Sequence, residues 1–337
     1  MKKNNLFNSK VIDQDRLNLL HWYNENKRSL PWRNTKNPYL IWISEVMLQQ
    51  TTVTAVIPYY TKFINRFPTL KDLAQARIEN VYEYWAGLGY YSRARNLHKA
   101  AEIIFNQHDG AFPKTYQELI QLPGFGPYTS RAVSSLAYDQ PVGVLDGNVI
   151  RILCRKHGLS INWWETTERN HLQKLSDLIA DSKHTADINQ AMMELGATIC
   201  TPKKVMCLMC PWNKNCVSLK KDLITQIPLS KPKPKFEMWL WNFDVLFDKS
   251  KILLIENETT PFLKNNWLPL STAEKIDQKP KKFDFKHGVT KYDIYVNINI
   301  ILKSKKIIPK NSRWVDVDKI SEINPTSLIK KIVECIK

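Results

Sequence analysis

The sequence predicts two domains, an all-α domain over residues 1–226 and a smaller α/β domain over 236–337. Three observations carry this division. Through residues 10–226 apolar residues recur at three- and four-residue intervals, the period of helices that bury one face. The stretch Ile227-Pro-Leu-Ser-Lys-Pro-Lys-Pro-Lys235 then breaks the pattern; a basic, proline-rich run of this kind reads as an extended, semi-rigid linker over 227–235. Beyond it the apolar residues alternate or are β-branched, as strands require.

The helical pattern is clearest over Leu40–Phe67 and Ile188–Ile199. Pro31, Pro38, Pro68, Pro113, Pro123, Pro141 and Pro202 mark starts and breaks, because proline has no N–H for the helix ladder. Two helical patterns are joined by Leu122-Pro-Gly-Phe-Gly-Pro-Tyr-Thr129. Gly124 and Gly126 permit tight backbone geometry close to a ligand. A helix starting near Thr129 would present free N–H groups to an anion. Gly124, Gly126 and Thr129 are therefore candidates to hold a DNA phosphate without reading sequence. A lone G-x-G is more often just a turn. In the second domain, Met238–Phe247, Lys251–Glu256 and Tyr292–Leu302 read as strands.

The 337 residues are 43% hydrophobic, enough for a core in each domain. No apolar run is long enough to span a membrane, and the polar N-terminus has no signal-peptide core, so a cytoplasmic location is expected. The net charge of +17 predicts an anionic partner, most often nucleic acid, with salt-sensitive affinity. A basic surface kept only for solubility is the bland alternative. Four of the six cysteines, Cys200, Cys207, Cys210 and Cys216, fall in the pattern C-x6-C-x2-C-x5-C. One wide, one tight and one medium gap suit the corners of a [4Fe–4S] cube, each iron taking one thiolate. A zinc site or two disulfides are the alternatives. Cys154 and Cys335 lie outside this pattern and read as small buried hydrophobes.

Together these residues resemble a known family. L-P-G-x-G-x-x-T, an aspartate about twenty residues later in Val144-Leu-Asp-Gly-Asn-Val149, and the cysteine pattern match the helix-hairpin-helix glycosylases of the endonuclease III superfamily. Leu30-Pro-Trp-Arg33, Trp42–Thr51, Gly87–Arg95 and Asn189–Gly196 look like the MutY-type adenine DNA glycosylases, densely over residues 10–226. The resemblance implies a helix-hairpin-helix glycosylase domain with an iron–sulfur cluster loop at 200–216, followed by a Nudix-like lesion-recognition domain. It implies a monofunctional base-excision enzyme that removes adenine opposite 8-oxoguanine or guanine and leaves an abasic site. Its partner would be double-stranded DNA holding that mispair, and the enzyme would act as a monomer. The rival readings are a thymine or other mismatch glycosylase on the same scaffold, and a non-catalytic damage-binding protein.

Breaking an N-glycosidic bond requires a protonated leaving base and a stabilised oxocarbenium-like sugar, tasks that two carboxylates with separated pKa values can divide. Glu45 lies in the apolar run Ile41–Leu48, where burial raises its pKa and keeps a proton available; the resemblance makes it the general acid towards adenine N7. Asp146 stands at a helix start, where aspartate is a routine N-cap; by resemblance it faces the sugar C1′ and stabilises the cation. Tyr128 occupies the hairpin position at which bifunctional relatives carry a lysine nucleophile. A phenol forms no Schiff base, so strand cleavage is not expected. By resemblance Arg28, Trp32, Arg33 and Leu48 line the base pocket, Glu194 hydrogen-bonds adenine's exocyclic amine or bridges to it by water, and Gln50 and Tyr90 fill the gap left by the flipped base. Arg93, Arg95, Lys203 and Lys204 are candidate phosphate contacts.

The C-terminal resemblance is looser. No Nudix catalytic box of clustered glutamates is present, so pyrophosphate hydrolysis is not expected. The family's recognition loop ends in F-S-H; here Phe285-Lys-His-Gly-Val-Thr-Lys291 has Val289, Thr290 and Lys291 at those places. Thr290 keeps a hydroxyl for the lesion. The lost aromatic and the exchanged histidine predict weaker discrimination of 8-oxoguanine from guanine.

Overall fold

The structure, a computed structural model, describes residues 9–302, 308–309 and 311–336. It divides into two compact units: residues 1–76 with 92–231, and residues 77–91 with 232–337. Among the described residues no helix is long and apolar enough to cross a membrane.

The first unit is helical, as its sequence period requires. Before the excursion of 77–91 it comprises α1 (Ser9–Asn26), α2 (Pro38–Leu48), α3 (Val53–Arg66) and α4 (Leu70–Ala74). The excursion itself holds α5 (Ile78–Trp85). Then come α6 (Tyr91–Gln107), α7 (Tyr116–Leu119), α8 (Pro127–Tyr138), α9 (Gly147–His157), α10 (Thr166–Ala180), α11 (Thr185–Thr198) and α12 (Val217–Lys220). The central element is α2. Asn37 caps it and Pro38 starts it, and Tyr39 and Ile41 through Met47 are all buried. A helix that is apolar on every side can lie only inside. It packs against α8 and α3, while α11 packs against α1, α8 and α9.

The hairpin of residues 122–126 is fixed to α2 by aromatic stacking, with Phe125 against Trp42 at 5.2 Å between centroids. Helix α8 starts at Pro127, two residues earlier than expected, with Gly126 as its N-cap. Gly124 needs to be glycine twice over: its φ is +78°, and a Cβ there would lie 2.8 Å from Asn96 Cβ. Gly126 has an ordinary φ of −86°, and a Cβ there would meet nothing within 4 Å. The fold of the free protein therefore does not demand glycine at 126.

Ile227, the first residue of the expected linker, is buried, and its carbonyl accepts from Arg155 Nε at 2.8 Å. The Leu229 carbonyl accepts from Trp163 Nε1. The start of the proline-rich stretch thus packs as part of the helical unit.

Among the described residues the second unit holds a seven-stranded mixed sheet. Its strands are β1 (Glu237–Asp248), β2 (Lys251–Glu256), β3 (Trp267–Leu268), β4 (Leu270–Ile276), β5 (Phe285–Val289), β6 (Tyr292–Leu302) and β7 (Ser312–Asp316). The long β1 runs parallel to β6 and antiparallel to β4. Helices α13 (Ile320–Ile323) and α14 (Ser327–Ile336) follow, and Ile320, Leu328, Ile329 and Ile332 pack on Trp241, Phe243 and Val245 of β1. The three expected strands are present with ends shifted by at most a residue; β3, β4, β5 and β7 have no clear sequence signature because they are short or exposed. The segment expected as a recognition loop is mostly strand. Phe285–Val289 pairs with β6, and Thr290–Lys291 form a two-residue hairpin turn. Cys154 is buried as expected, whereas Cys335 is exposed on α14.

Candidate active site

Nine of the residues singled out in the sequence line one cavity of about 700 Å³ in the helical unit: Arg28, Trp32, Arg33, Glu45, Leu48, Gln50, Tyr128, Asp146 and Glu194. Each is delivered by a local feature. Helix α2 contributes Glu45 and Leu48, α8 contributes Tyr128, α11 contributes Glu194, and the segment before α2 contributes Arg28, Trp32 and Arg33. Asp146 is the N-cap of α9, its Oδ1 accepting from Val149 N at 2.7 Å. The chain leading to it is pinned on both sides. Asn189 bonds Val142 and Val144, Ser176 Oγ donates to the Val144 carbonyl, and Gly143 N donates to Asp177 Oδ1.

The two carboxylates sit in different environments. Glu45 is 5% exposed, and its pKa is pushed up to about 7, first by burial and further by the charge of Asp146. The Tyr128 hydroxyl donates to Glu45 Oε2 at 2.7 Å and opposes that rise. Burial also raises Asp146, but hydrogen bonds from Val149 N and from Asn148 oppose it. Asn148 Nδ2 reaches Asp146 Oδ2 at 2.9 Å. Both groups are raised by burial, but Asp146 has hydrogen bonds from Val149 N and Asn148 that favour its charged form, whereas Glu45 has the Tyr128 hydroxyl alone and keeps a proton near neutrality.

Glu194 departs from the expected contact with the base. Its Oε1 accepts from Arg28 N at 3.2 Å and Arg28 Nε at 2.7 Å; its Oε2 accepts from Arg28 Nη2 at 2.8 Å and from Arg33 Nη2. Four donors fill the roughly four acceptor sites of a carboxylate. Despite full burial of its side chain, these bonds hold its pKa down at about 2. Glu194 here orients two arginines into the cavity and keeps no acceptor for an amine.

Other expected residues lie elsewhere. Thr129 is only 2% exposed, and its hydroxyl accepts from Gln49 Nε2 at 3.2 Å. Arg93, read as a phosphate contact, instead donates to three carbonyls at the end of α2. Tyr90, in the second unit, is 52% exposed with φ +49°, on a loop beside Gly87 and Gly89. Thr290 is exposed, with φ +50°, a conformation that β-branched residues rarely adopt. Lys291 pairs with Glu237 on β1.

The four cysteines are free thiols, Cys200 and Cys216 buried and Cys207 and Cys210 partly so. A chain of tight turns folds the loop: Met209 N to Met206 O, Cys210 N to Cys207 O, Asn213 N to Cys210 O and Cys216 N to Asn213 O. Burial raises Cys207 and pushes Cys210 up to about 12, and neighbouring cysteine thiolates add to both. Among the described residues no three His, Cys, Asp or Glu side chains are grouped to hold a metal ion. Sequence reading missed Asn148 and Arg151, which tie this loop to the aspartate. Arg151 Nη2 donates to Asn148 Oδ1 at 2.8 Å, and Arg151 Nε donates to the Cys200 carbonyl at 2.8 Å. Only the spacing Asp146-x-Asn148-x-x-Arg151, one turn of a helix start, hinted at it.

Residues 43–180 match the family model described as HhH-GPD superfamily base excision DNA repair protein. The adenine DNA glycosylase of Buchnera aphidicola subsp. Baizongia pistaciae is 35% identical over 341 residues, 95% of this chain and 95% of that one. The mouse adenine DNA glycosylase is 43% identical over 231 residues, 66% of this chain but 45% of the longer mouse protein, so this chain spans less than half of it. Among solved structures, that of a thermostable thymine-DNA glycosylase aligns with a TM-score of 0.58 at 28% identity, covering 63% of this chain and 98% of the other. With a bacterial relative matched nearly end to end and the superfamily model lying across the cavity-bearing helices, this chain belongs to the adenine DNA glycosylases, base-excision repair enzymes of the HhH-GPD superfamily.

Proposed function

We propose that the chain removes adenine mispaired with 8-oxoguanine or guanine from duplex DNA, hydrolysing the N-glycosidic bond and leaving an abasic site. The observation that carries the reading is the pair Glu45 and Asp146, opening on one cavity, Glu45 raised to about 7 by burial and Asp146 held by hydrogen bonds that oppose its own rise. Glu45 delivers its proton to adenine N7 as the bond to C1′ breaks. Asp146, charged and held by Val149 N and Asn148, faces the developing oxocarbenium ion. Arg28 and Arg33, set by Glu194, supply donors for the acceptor edge of the base. Tyr128 steadies Glu45, and no lysine stands at its position to attack the sugar. Gln50 and Tyr90 occupy the space left in the stack. Gly126 fits a close phosphate approach, since the fold itself leaves room for a Cβ there.

Cys200, Cys207, Cys210 and Cys216 would hold a [4Fe–4S] cluster. Cys207 and Cys210 both feel the charge of Cys200 and Cys216, so the four thiols share one neighbourhood. Arg155, 4% exposed and directed at Cys200 Sγ at 3.5 Å, suits a centre of net negative charge. When bound, such a cluster gives the loop a rigid anchor. The sheet unit serves as a Nudix-like domain, with Thr290 at the tip of its β5–β6 hairpin probing the base opposite adenine.

The test is excision from duplexes with adenine opposite 8-oxoguanine, guanine, cytosine or thymine, resolved with and without alkali. Cleavage opposite 8-oxoguanine and guanine, visible only after alkali, is expected. Excision of thymine from a thymine–guanine duplex instead of adenine would favour the thymine-glycosylase reading.

A further inference from the structure

Helix α2 carries Glu45 and Leu48 into the cavity and then ends abruptly. Gln49 leaves the helix with φ −60° and ψ 116°, and Gln50 turns left-handed with φ +58°. A non-glycine residue in that region is disfavoured unless its neighbours fix it. The last carbonyls of a helix also lack partners and form its negative end. Arg93, near the start of α6, meets both needs with one nitrogen. Its Nη1 lies 2.8 Å from the Val46 carbonyl, 3.0 Å from Met47 O and 2.7 Å from Gln49 O. The guanidinium thus joins the last turn of α2 to the first residue beyond it. A second tie, from Gln49 Nε2 to Thr129 Oγ1, fixes the same turn to α8. Between them these bonds tie the backbone on the N-terminal side of Gln50 to α6 and α8, and the exposed Gln50 side chain is left at the cavity.

We propose that Arg93 is a positioning residue for Gln50. By holding the Gln49 carbonyl it keeps the turn left-handed before DNA arrives, so that the Gln50 amide enters the stack already oriented when adenine leaves it. This rests on the reading that Gln50 fills the gap left by the flipped base. It also assigns Arg93 to the protein's own carbonyls, not to phosphate.

The experiment is a double-mutant cycle in the full-length protein, with single-turnover excision of adenine opposite 8-oxoguanine as the readout. Arg93→Gln should slow excision by about tenfold or more in the wild-type background, and by less than about twofold in a Gln50→Ala background, because the group it positions is gone. Arg93→Lys keeps one charged donor for the Gln49 carbonyl and should fall between wild type and Arg93→Gln. The salt dependence of duplex binding should keep its slope, whereas loss of a phosphate contact would reduce the slope by about one. Equal losses from Arg93→Gln in both backgrounds, with Gln50→Ala itself impaired, would overturn the proposal while leaving the role of Gln50 standing. A reduced salt slope would overturn it as well. Wild-type excision by Gln50→Ala would remove the reading of Gln50 and the proposal with it. If Arg93→Gln does not fold, the same cycle run with Arg93→Lys decides.

Discussion

Replacing Glu45 by glutamine should abolish excision and, at alkaline pH, make the protein more stable. Below pH 4.5, the ordinary value for glutamate, the carboxyl is protonated in folded and unfolded chains alike, and its burial as an ion is not at issue. Between 4.5 and about 7 the unfolded chain gives up the proton and the folded chain keeps it, so stability falls as pH rises. Above 7 the carboxylate is ionised in both states, and the full difference corresponds to about 3 kcal/mol. Glutamine has no proton to lose, and its carbonyl oxygen can still accept from the Tyr128 hydroxyl. The variant should therefore exceed the wild type by about 3 kcal/mol at pH 8 and by less than about 1 kcal/mol at pH 5. The fold tolerates the native penalty because Ile41, Trp42, Ile43, Val46 and Met47 are buried on the same helix, each worth about 1.5–3 kcal/mol. Denaturant unfolding at the two pH values, beside single-turnover excision, is the assay. A stability difference that does not change with pH would refute the argument that Glu45 holds its proton through burial.

Asp146→Asn should reduce excision by at least about a hundredfold while leaving stability within about 0.5 kcal/mol, because asparagine caps a helix as well as aspartate does; unfolding and single-turnover rates measured on the same variant check both halves. Tyr128→Phe removes the hydroxyl whose bond lowers the Glu45 pKa, so the alkaline limb of the pH–rate profile should move to higher pH. Cys207→Ser should lose most of the iron of a protein otherwise carrying about four irons per chain, measured by metal analysis after anaerobic purification; stoichiometric zinc in the wild type would contradict the cluster.

What the sequence made legible was local chemistry. Glu45 in an apolar run and Asp146 at a helix start are positions whose environment follows from neighbours three or four residues away, so sequence neighbours alone suffice to place both. Strands β1, β2 and β6 were legible for the same reason, being long and apolar. Partners distant in the chain were not. That Glu194 binds Arg28 and Arg33, more than 160 residues away, left no mark in either segment. Arg93 was read as a phosphate contact because helical spacing shows which face a side chain occupies but not what packs on it. The segment 285–291 was read as a loop from its resemblance to the family's recognition loop; its pairing with β6 is set by register across a two-residue turn, which local composition does not encode.

The charge balance of the cavity leads to a prediction for Glu194 that differs from that for a base contact. Arg33 acts on Glu45 so as to lower its pKa, against burial and Asp146. Arg33 left without a carboxylate partner would favour loss of the Glu45 proton more strongly. Glu194, ionised because four donors hold it so, cancels part of that field. Glu194→Gln removes the negative charge but keeps a side chain of the same size. The field of Arg33 on Glu45 then grows, and the Glu45 pKa falls from about 7 towards its ordinary value. The alkaline limb of the pH–rate profile should therefore move to lower pH, opposite in direction to Tyr128→Phe. Excision near pH 5.5 should recover relative to pH 7.5, where the variant should be the more impaired. Had Glu194 bound the adenine amine directly, the amide would weaken binding by a similar factor at every pH and leave the limb in place. Single-turnover rates from pH 5 to 9 separate the two, and an unmoved limb would return Glu194 to the role of a base contact.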